Sequence, residues 1–340
     1  MSERAAVLHG ARDLRIEEVG PEPLRPGAVR VAVRATGLCG SDLHYYAEGR
    51  NGSNVLRSPT VLGHEASGVV TELGDGADPE LLGRTVAVEP ARPCRRCATC
   101  AAGRYNLCPS GRCFGSPPVH GTIRGTLVVD AELVHPVPSE IDPAVSALVE
   151  PLAVACWAVR RADVFSGASV LITGAGPIGQ LAVAAARAAG ASRIALTDVD
   201  ARRLASADGA GADEVLDTTA DRPAAASFDR QLECSGAPEA VNLEALVPGG
   251  AVALMGIPAA RPAAAELLAA AQRWEIDVRG CFRYGPGAFR TAVSLLRSGR
   301  VDLARMVTAR FPLEQADRAL STALTERDHL KIAVLSEESA

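Results

Sequence analysis

Apolar and polar positions change rhythm twice along this chain. Through the first part, apolar residues come in short alternating runs at 29–35, 68–73, 85–88 and 126–129, set apart by Gly and Pro. A period of two buries one face of an extended chain, so these runs predict strands of a β-rich, partly barrel-like region. Near Pro143 the pattern turns Ala- and Val-rich without turn residues, which predicts a helix over 144–162. From Ala168 short apolar runs alternate with helical periodicity. Strands are expected at 169–173, 193–198, 228–234, 251–256 and 277–281, with helices at 178–189 and 201–208. Strand–helix alternation at this spacing predicts a parallel sheet covered on both faces. Beyond Phe282 a helix at 288–298 and strands at 307–311 and 331–335 complete the chain. That tail is expected to return to the first region, giving domains 1–154 with 284–340, and 155–283.

Composition narrows the classes. A chain of 340 residues exceeds one ordinary core, and 48% hydrophobic with 22% charged residues is globular. The net charge of −5 argues against nucleic acid as a partner. No apolar run is expected to cross a membrane, and Met1 to Gly10 lacks a secretory signal. Nine cysteines without such a signal point to a reducing, cytoplasmic setting in which thiols are metal ligands or buried groups. Lys331 is the only lysine, so lysine chemistry has one candidate position.

Gly174-Ala175-Gly176-Pro177-Ile178-Gly179 fits G-x-G-x-x-G, follows an apolar strand and opens a helix. Gly174 permits the turn, Gly176 admits a pyrophosphate to the backbone, and Gly179 lets helix and strand approach. The helix N-terminus offers free N–H groups and partial positive charge to phosphates. Asp198 ends the next strand, where an acid takes ribose hydroxyls and repels a 2′-phosphate, favouring NAD over NADP. Arg202 and Arg203 stand close enough to meet a phosphate instead.

Two groups of residues carry metal-ligand spacing. Cys94, Cys97, Cys100 and Cys108 run C-x2-C-x2-C-x7-C, the pattern of a closed, tetrahedral, structural zinc site. Cys39 in Gly37 to His44 and His64 in Gly63-His64-Glu65 supply one soft and one borderline donor. Glu150 is a third candidate, and Glu65 binds either directly or through a water. Three protein ligands and an open position make a catalytic zinc. Asp42 is a candidate acceptor for the other ring N–H of His64.

These motifs together resemble the zinc-containing medium-chain dehydrogenases, in particular the sorbitol/xylitol dehydrogenase branch, over nearly the whole chain. The resemblance rests on Cys39-Gly40-Ser41-Asp42-Leu43-His44-Tyr45-Tyr46, Gly63-His64-Glu65, the cysteine ladder, Arg104 to Pro109, Glu150-Pro151-Leu152, Gly174 to Gly179, Glu233-Cys234-Ser235-Gly236 and Phe282-Arg283-Tyr284. It implies an α/β chain with a GroES-like catalytic domain, a Rossmann domain and an active site between them. It implies zinc on Cys39, His64 and Glu150, with Glu65 exchanging onto the metal, and two zinc ions per chain. Ser41 would touch the substrate alcohol, and His44 would end a proton relay through the nicotinamide ribose. Arg283 and Tyr284 would hold distal hydroxyls, with Tyr45 and Phe114 shaping the pocket. The implied reaction takes a hydride from a secondary alcohol of a polyol to NAD, giving a ketose, in a homo-oligomer (tetramer or dimer). The chain keeps all four ladder cysteines, unlike animal sorbitol dehydrogenases. It also carries His120-Gly121 after Pro117-Pro118-Val119, where xylitol dehydrogenase-like enzymes have Asp-Gly. The Asp42 to Tyr46 run is equally similar to L-idonate 5-dehydrogenases, and a cyclitol or amino-sugar alcohol is a further substrate class. A zinc-free enone reductase lacks these donor sets, and a non-catalytic zinc- and nucleotide-binding protein has no use for Ser41 and His44.

Overall fold

The computed structural model describes residues 3–256, 264–326 and 328–336. Its contacts divide the chain into two units, 1–150 with 296–340, and 151–295. The sequence reading placed these crossings at 154 and 284. The difference has a packing cause. Tyr284 meets Phe289 edge-on at 5.6 Å, a Cβ on Gly285 would come 2.4 Å from the Trp157 ring, and Arg160 donates to the Pro286 carbonyl. Residues 284–289 are thereby fastened to the Val149–Ala162 helix.

The first unit is organised around the strand Ala28–Gly37. Its Val29, Val31, Val33 and Ala35 are fully buried, the alternation that the sequence showed. One edge pairs antiparallel with Glu65–Leu73. The other edge is shared: Thr126–Asp130 takes the N-terminal half and Lys331–Leu335 the C-terminal half. The returning tail is therefore part of this sheet. Thr85–Val88 and Val134–Pro136 extend it beyond Glu65–Leu73, and Val307–Pro312 beyond Lys331–Leu335. A separate three-stranded sheet joins Asp13–Val19, Glu3–Gly10 and Thr60–Val61.

The second unit is a doubly wound, six-stranded parallel sheet. Its order is Glu214–Asp217, Arg193–Asp198, Ser169–Thr173, Phe228–Glu233, Leu246–Leu254 and Asp277–Gly280. The winding reverses between Ser169–Thr173 and Phe228–Glu233, and in such sheets ligands bind outside the carboxyl ends of the strands there. Gly174 to Gly179 stands at that end.

Among the described residues one stretch, Pro143–Ala162, is long and apolar enough to cross a membrane, contrary to the sequence expectation; 78% of it is buried inside the protein. Burial explains its apolar character without a bilayer.

Candidate active site and metal centres

Gly37 lies in register with Glu65 on one side and Ala333 on the other. The chain leaves this strand at Leu38, and Cys39 caps the helix Gly40–Glu48. The hub thus delivers Cys39, His64 and Glu65 to one place, with their donor atoms within 4.8 Å of one another. Glu150 is buried but not in this group.

Small residues and one carboxylate hold the donors. Asp42 is fully buried and accepts the Cys39 and Gly63 N–H groups at 3.0 Å each. Its Oδ1 lies 3.7 Å from His64 Nδ1, an ion-pair rather than hydrogen-bond distance. Burial raises the Asp42 pKa, but His64 and the two N–H groups outweigh it and hold the carboxyl below its ordinary value. For His64, burial acts downward, yet the Asp42 and Cys39 charges keep its pKa well above the usual imidazole range. Gly63 has φ +91°, and a Cβ there would fall 2.7 Å from Ile123 and from Thr36. Gly37 makes room for Glu65, since a Cβ would stand 2.4 Å from its Oε2.

The donors fit a zinc ion. Glu65 Oε2 is buried without a hydrogen-bond partner. Lys331 Nζ lies 2.5 Å from it as an ion pair. A thiol, an imidazole and a carboxylate also match the open donor sets of catalytic zinc. Ser41 follows Cys39 by two residues and is half-buried. His44 is exposed on the same helix, its Nδ1 3.7 Å from Glu48.

The four cysteines of the ladder converge. The four sulfurs lie within 4.8 Å, with Cys97 and Cys108 at 3.8 Å. The Arg96 N–H and neighbouring thiols pull Cys94 down to about 6, while burial and the other thiols push Cys100 up to about 12. Sulfurs this close ionise together only around a cation, which suits zinc. A link not read from the sequence stands beside this lobe: Tyr105 donates to Glu89 Oε1 at 3.0 Å, and His135 Nε2 meets Glu89 Oε2 at 2.9 Å.

The glycine-rich turn is built as its motif requires. Gly174 has φ +97°. Gly176 caps the helix Pro177–Ala188, and a Cβ on it would meet nothing within 4 Å, leaving space for a phosphate. Gly179 has no such space: a Cβ would lie 1.8 Å from the Gly174 carbonyl oxygen. Asp198 is bound into this turn, accepting Ala175 N–H at 2.7 Å, Val199 N–H at 2.8 Å and Asp200 N–H at 3.0 Å. Arg203 stands 3.9 Å from its Oδ2.

Residues 25–139 match the alcohol dehydrogenase GroES-like domain, and residues 177–298 the zinc-binding dehydrogenase domain. The sorbitol dehydrogenase of Bacillus subtilis is 35% identical over 97% of this chain and 96% of its own length. The chain belongs to the zinc-binding medium-chain alcohol dehydrogenases. Human sorbitol dehydrogenase is 38% identical over 93% of this chain and 91% of its own. The solved structure of Escherichia coli L-idonate 5-dehydrogenase superposes with a TM-score of 0.92 at 32% identity, covering 98% of both chains. The family is one of oxidoreductases acting on CH–OH groups, with polyol dehydrogenases among its members.

Within this dehydrogenase three residues expected at the substrate are buried. Tyr284 is 1% exposed and packs on Phe289. Phe114 is buried among Val29, Val31 and Leu127, beneath the Arg92 guanidinium. Tyr45 is buried in the other cluster of this unit, its hydroxyl accepting from Asn54 Nδ2 at 2.8 Å. Aromatic area is worth more in a core than half-wetted. Arg283 remains available: it has φ +52°, is half-buried and lies over the Phe282 ring at 4.9 Å. Lys331 is the residue that sequence reasoning left idle, although a single lysine in an otherwise apolar strand was the available signal.

Proposed function

We propose that this chain is a zinc- and NAD-dependent polyol dehydrogenase that oxidises a secondary alcohol of a sorbitol-, xylitol- or iditol-like substrate to a ketose. The observation that carries the reading is the convergence of Cys39, His64 and Glu65 beside Ser41. These three residues would hold the catalytic zinc. A zinc ion there supplies a Lewis acid that makes an alcohol easier to deprotonate near neutral pH. The Ser41 hydroxyl would accept the alcohol proton as it gives up its own toward His44, which is exposed at the same helix and would return it to solvent. Arg283 offers donors to distal hydroxyls.

Cys94, Cys97, Cys100 and Cys108 would hold a second, structural zinc, making two per chain. Gly174, Gly176, Pro177, Ile178 and Gly179 form the phosphate turn, and Asp198 with Arg203 faces the adenosine ribose. A carboxylate at that position supports NAD over NADP. Among the described residues the Asp277–Gly280 strand pairs on one side only, and Val278 and Trp274 beside it are exposed, which suits a homo-oligomer. A cytoplasmic location follows from the cysteine usage. A second reading, oxidation of a sugar acid, is favoured by the likeness to L-idonate 5-dehydrogenase and by Arg283 as a carboxylate partner.

NADH and NADPH formation across sorbitol, xylitol, L-iditol, L-idonate and cyclitols tests this. The proposal expects NADH with a neutral polyol. Turnover confined to L-idonate would transfer the assignment to the sugar acid. A zinc-loaded protein inert toward the whole panel would favour a non-catalytic binder.

A further inference from the structure

The fold places the single lysine of the chain where a lysine is hard to keep. Lys331 is 4% exposed. Its Nζ donates to Glu65 Oε1 at 2.6 Å and to the Leu38 carbonyl at 2.8 Å, and stands 2.5 Å from Glu65 Oε2. A lysine buried this fully needs an ionic partner, and it finds one in the Glu65 carboxylate among the donors of the metal site.

The route by which it gets there is specific. Lys331 begins a strand that pairs with the C-terminal end of Ala28–Gly37, while Glu65 begins the strand on the opposite edge. The two side chains meet past Gly37, the residue whose Cβ would collide with Glu65 Oε2. The amine lies 2.6 Å from one oxygen of Glu65 and 2.5 Å from the other. A metal and an ammonium then draw on the same carboxylate.

We propose that Lys331 is a positioning residue that, by holding the Glu65 carboxylate and fixing a positive charge beside the donors, keeps Glu65 a weak, displaceable zinc ligand. The inference rests on the zinc reading above. With the ammonium in place, Glu65 divides its charge between two cations and can leave the metal to the alcohol. Without it, the metal is the only cation close to Glu65. Glu65 then binds firmly and contests the position that substrate needs.

The test uses the full-length holoenzyme and compares Lys331→Met, Lys331→Gln and Lys331→Arg, with Lys331→Met repeated in a Glu65→Gln background. Release of the catalytic metal to a chelator and the visible spectrum of the cobalt-substituted protein are read, the signal being assigned by its loss in Cys39→Ser. Removing a unit charge beside a divalent cation is expected to slow release about ten- to a hundredfold. The cobalt bands should shift, kcat should fall and KM for the alcohol should rise. Lys331→Arg should restore wild-type behaviour. In the Glu65→Gln background the lysine substitution should change release less than about twofold, because its target is gone. Lys331→Gln removes the charge while still donating to Leu38, so the comparison stands even where the methionine variant folds poorly. Wild-type release with an unchanged cobalt spectrum, or an equal effect in the Glu65→Gln background, would overturn the proposal and leave Lys331 a brace for Leu38. A wild-type protein that holds no metal at Cys39 would refute the zinc reading itself, which is a different failure.

Discussion

Removing the Asp42 carboxylate should loosen both strands of chain that carry the metal donors. Asp42 is fully buried and accepts two backbone N–H groups, from Cys39 and Gly63, at 3.0 Å each. A hydrogen bond to a charged acceptor is worth roughly 1.5–3 kcal/mol, and each orphaned buried donor adds its own desolvation cost. Asp42→Ala should therefore cost about 3–6 kcal/mol, a large share of the 5–15 kcal/mol that holds a typical domain together. Asp42→Asn keeps the volume and one acceptor oxygen, so it should lose about half as much. Because the carboxylate also faces His64 Nδ1, zinc affinity should fall about ten- to a hundredfold in the alanine variant. Trp157 and Trp274 both lie in the other unit, so tryptophan fluorescence reports poorly on this one. Hydrogen exchange at the Cys39 and Gly63 amides, combined with chelator competition for zinc, reads the effect directly. Wild-type protection of both amides and wild-type zinc affinity in Asp42→Ala would refute the argument.

Gly179→Ala places a methyl 1.8 Å from the Gly174 carbonyl oxygen, so NADH affinity by calorimetry should fall at least tenfold, with a loss of about 1–3 kcal/mol of stability from overpacking. Asp198→Ala removes an acceptor from three backbone N–H groups as well as a charge. It should lower both the melting temperature and the NAD-to-NADP ratio of kcat/KM, and an unchanged ratio would move the cofactor determinant to Arg202 or Arg203. Cys100→Ser should lose one zinc by metal analysis and several degrees of melting temperature, since a closed site contributes directly to folding.

Buried strands were the most legible part of the sequence. Ser169–Thr173, Arg193–Asp198 and Lys331–Leu335 are apolar runs apart from their ends, and the structure forms strands at the residues the pattern marked. The Asp13–Val19 strand was not read because it is only half-buried along its length and carries no clean alternation. Glu214–Asp217, at the sheet edge, is illegible for the same reason. Metal donors were visible through residue type and spacing. Spacing along the chain does not choose between Glu65 and Glu150; strand register sets Glu65 opposite Gly37, with its carboxylate close to the Cys39 and His64 donors. Nor could it show Lys331, whose partner lies 266 residues away. The burial of Tyr45, Phe114 and Tyr284 is set by tertiary contacts that their place in the sequence does not show.

The central claim is that Cys39, His64 and Glu65 would hold the zinc that activates the alcohol for hydride transfer to NAD. Zinc content and polyol turnover measured together on the wild-type protein and on Cys39→Ser test it most directly. The account predicts two zinc ions per wild-type chain and one in the variant, with turnover lost, NADH affinity retained and the cysteine-ladder zinc still present. A Cys39→Ser protein that keeps both ions and near-normal turnover would contradict it.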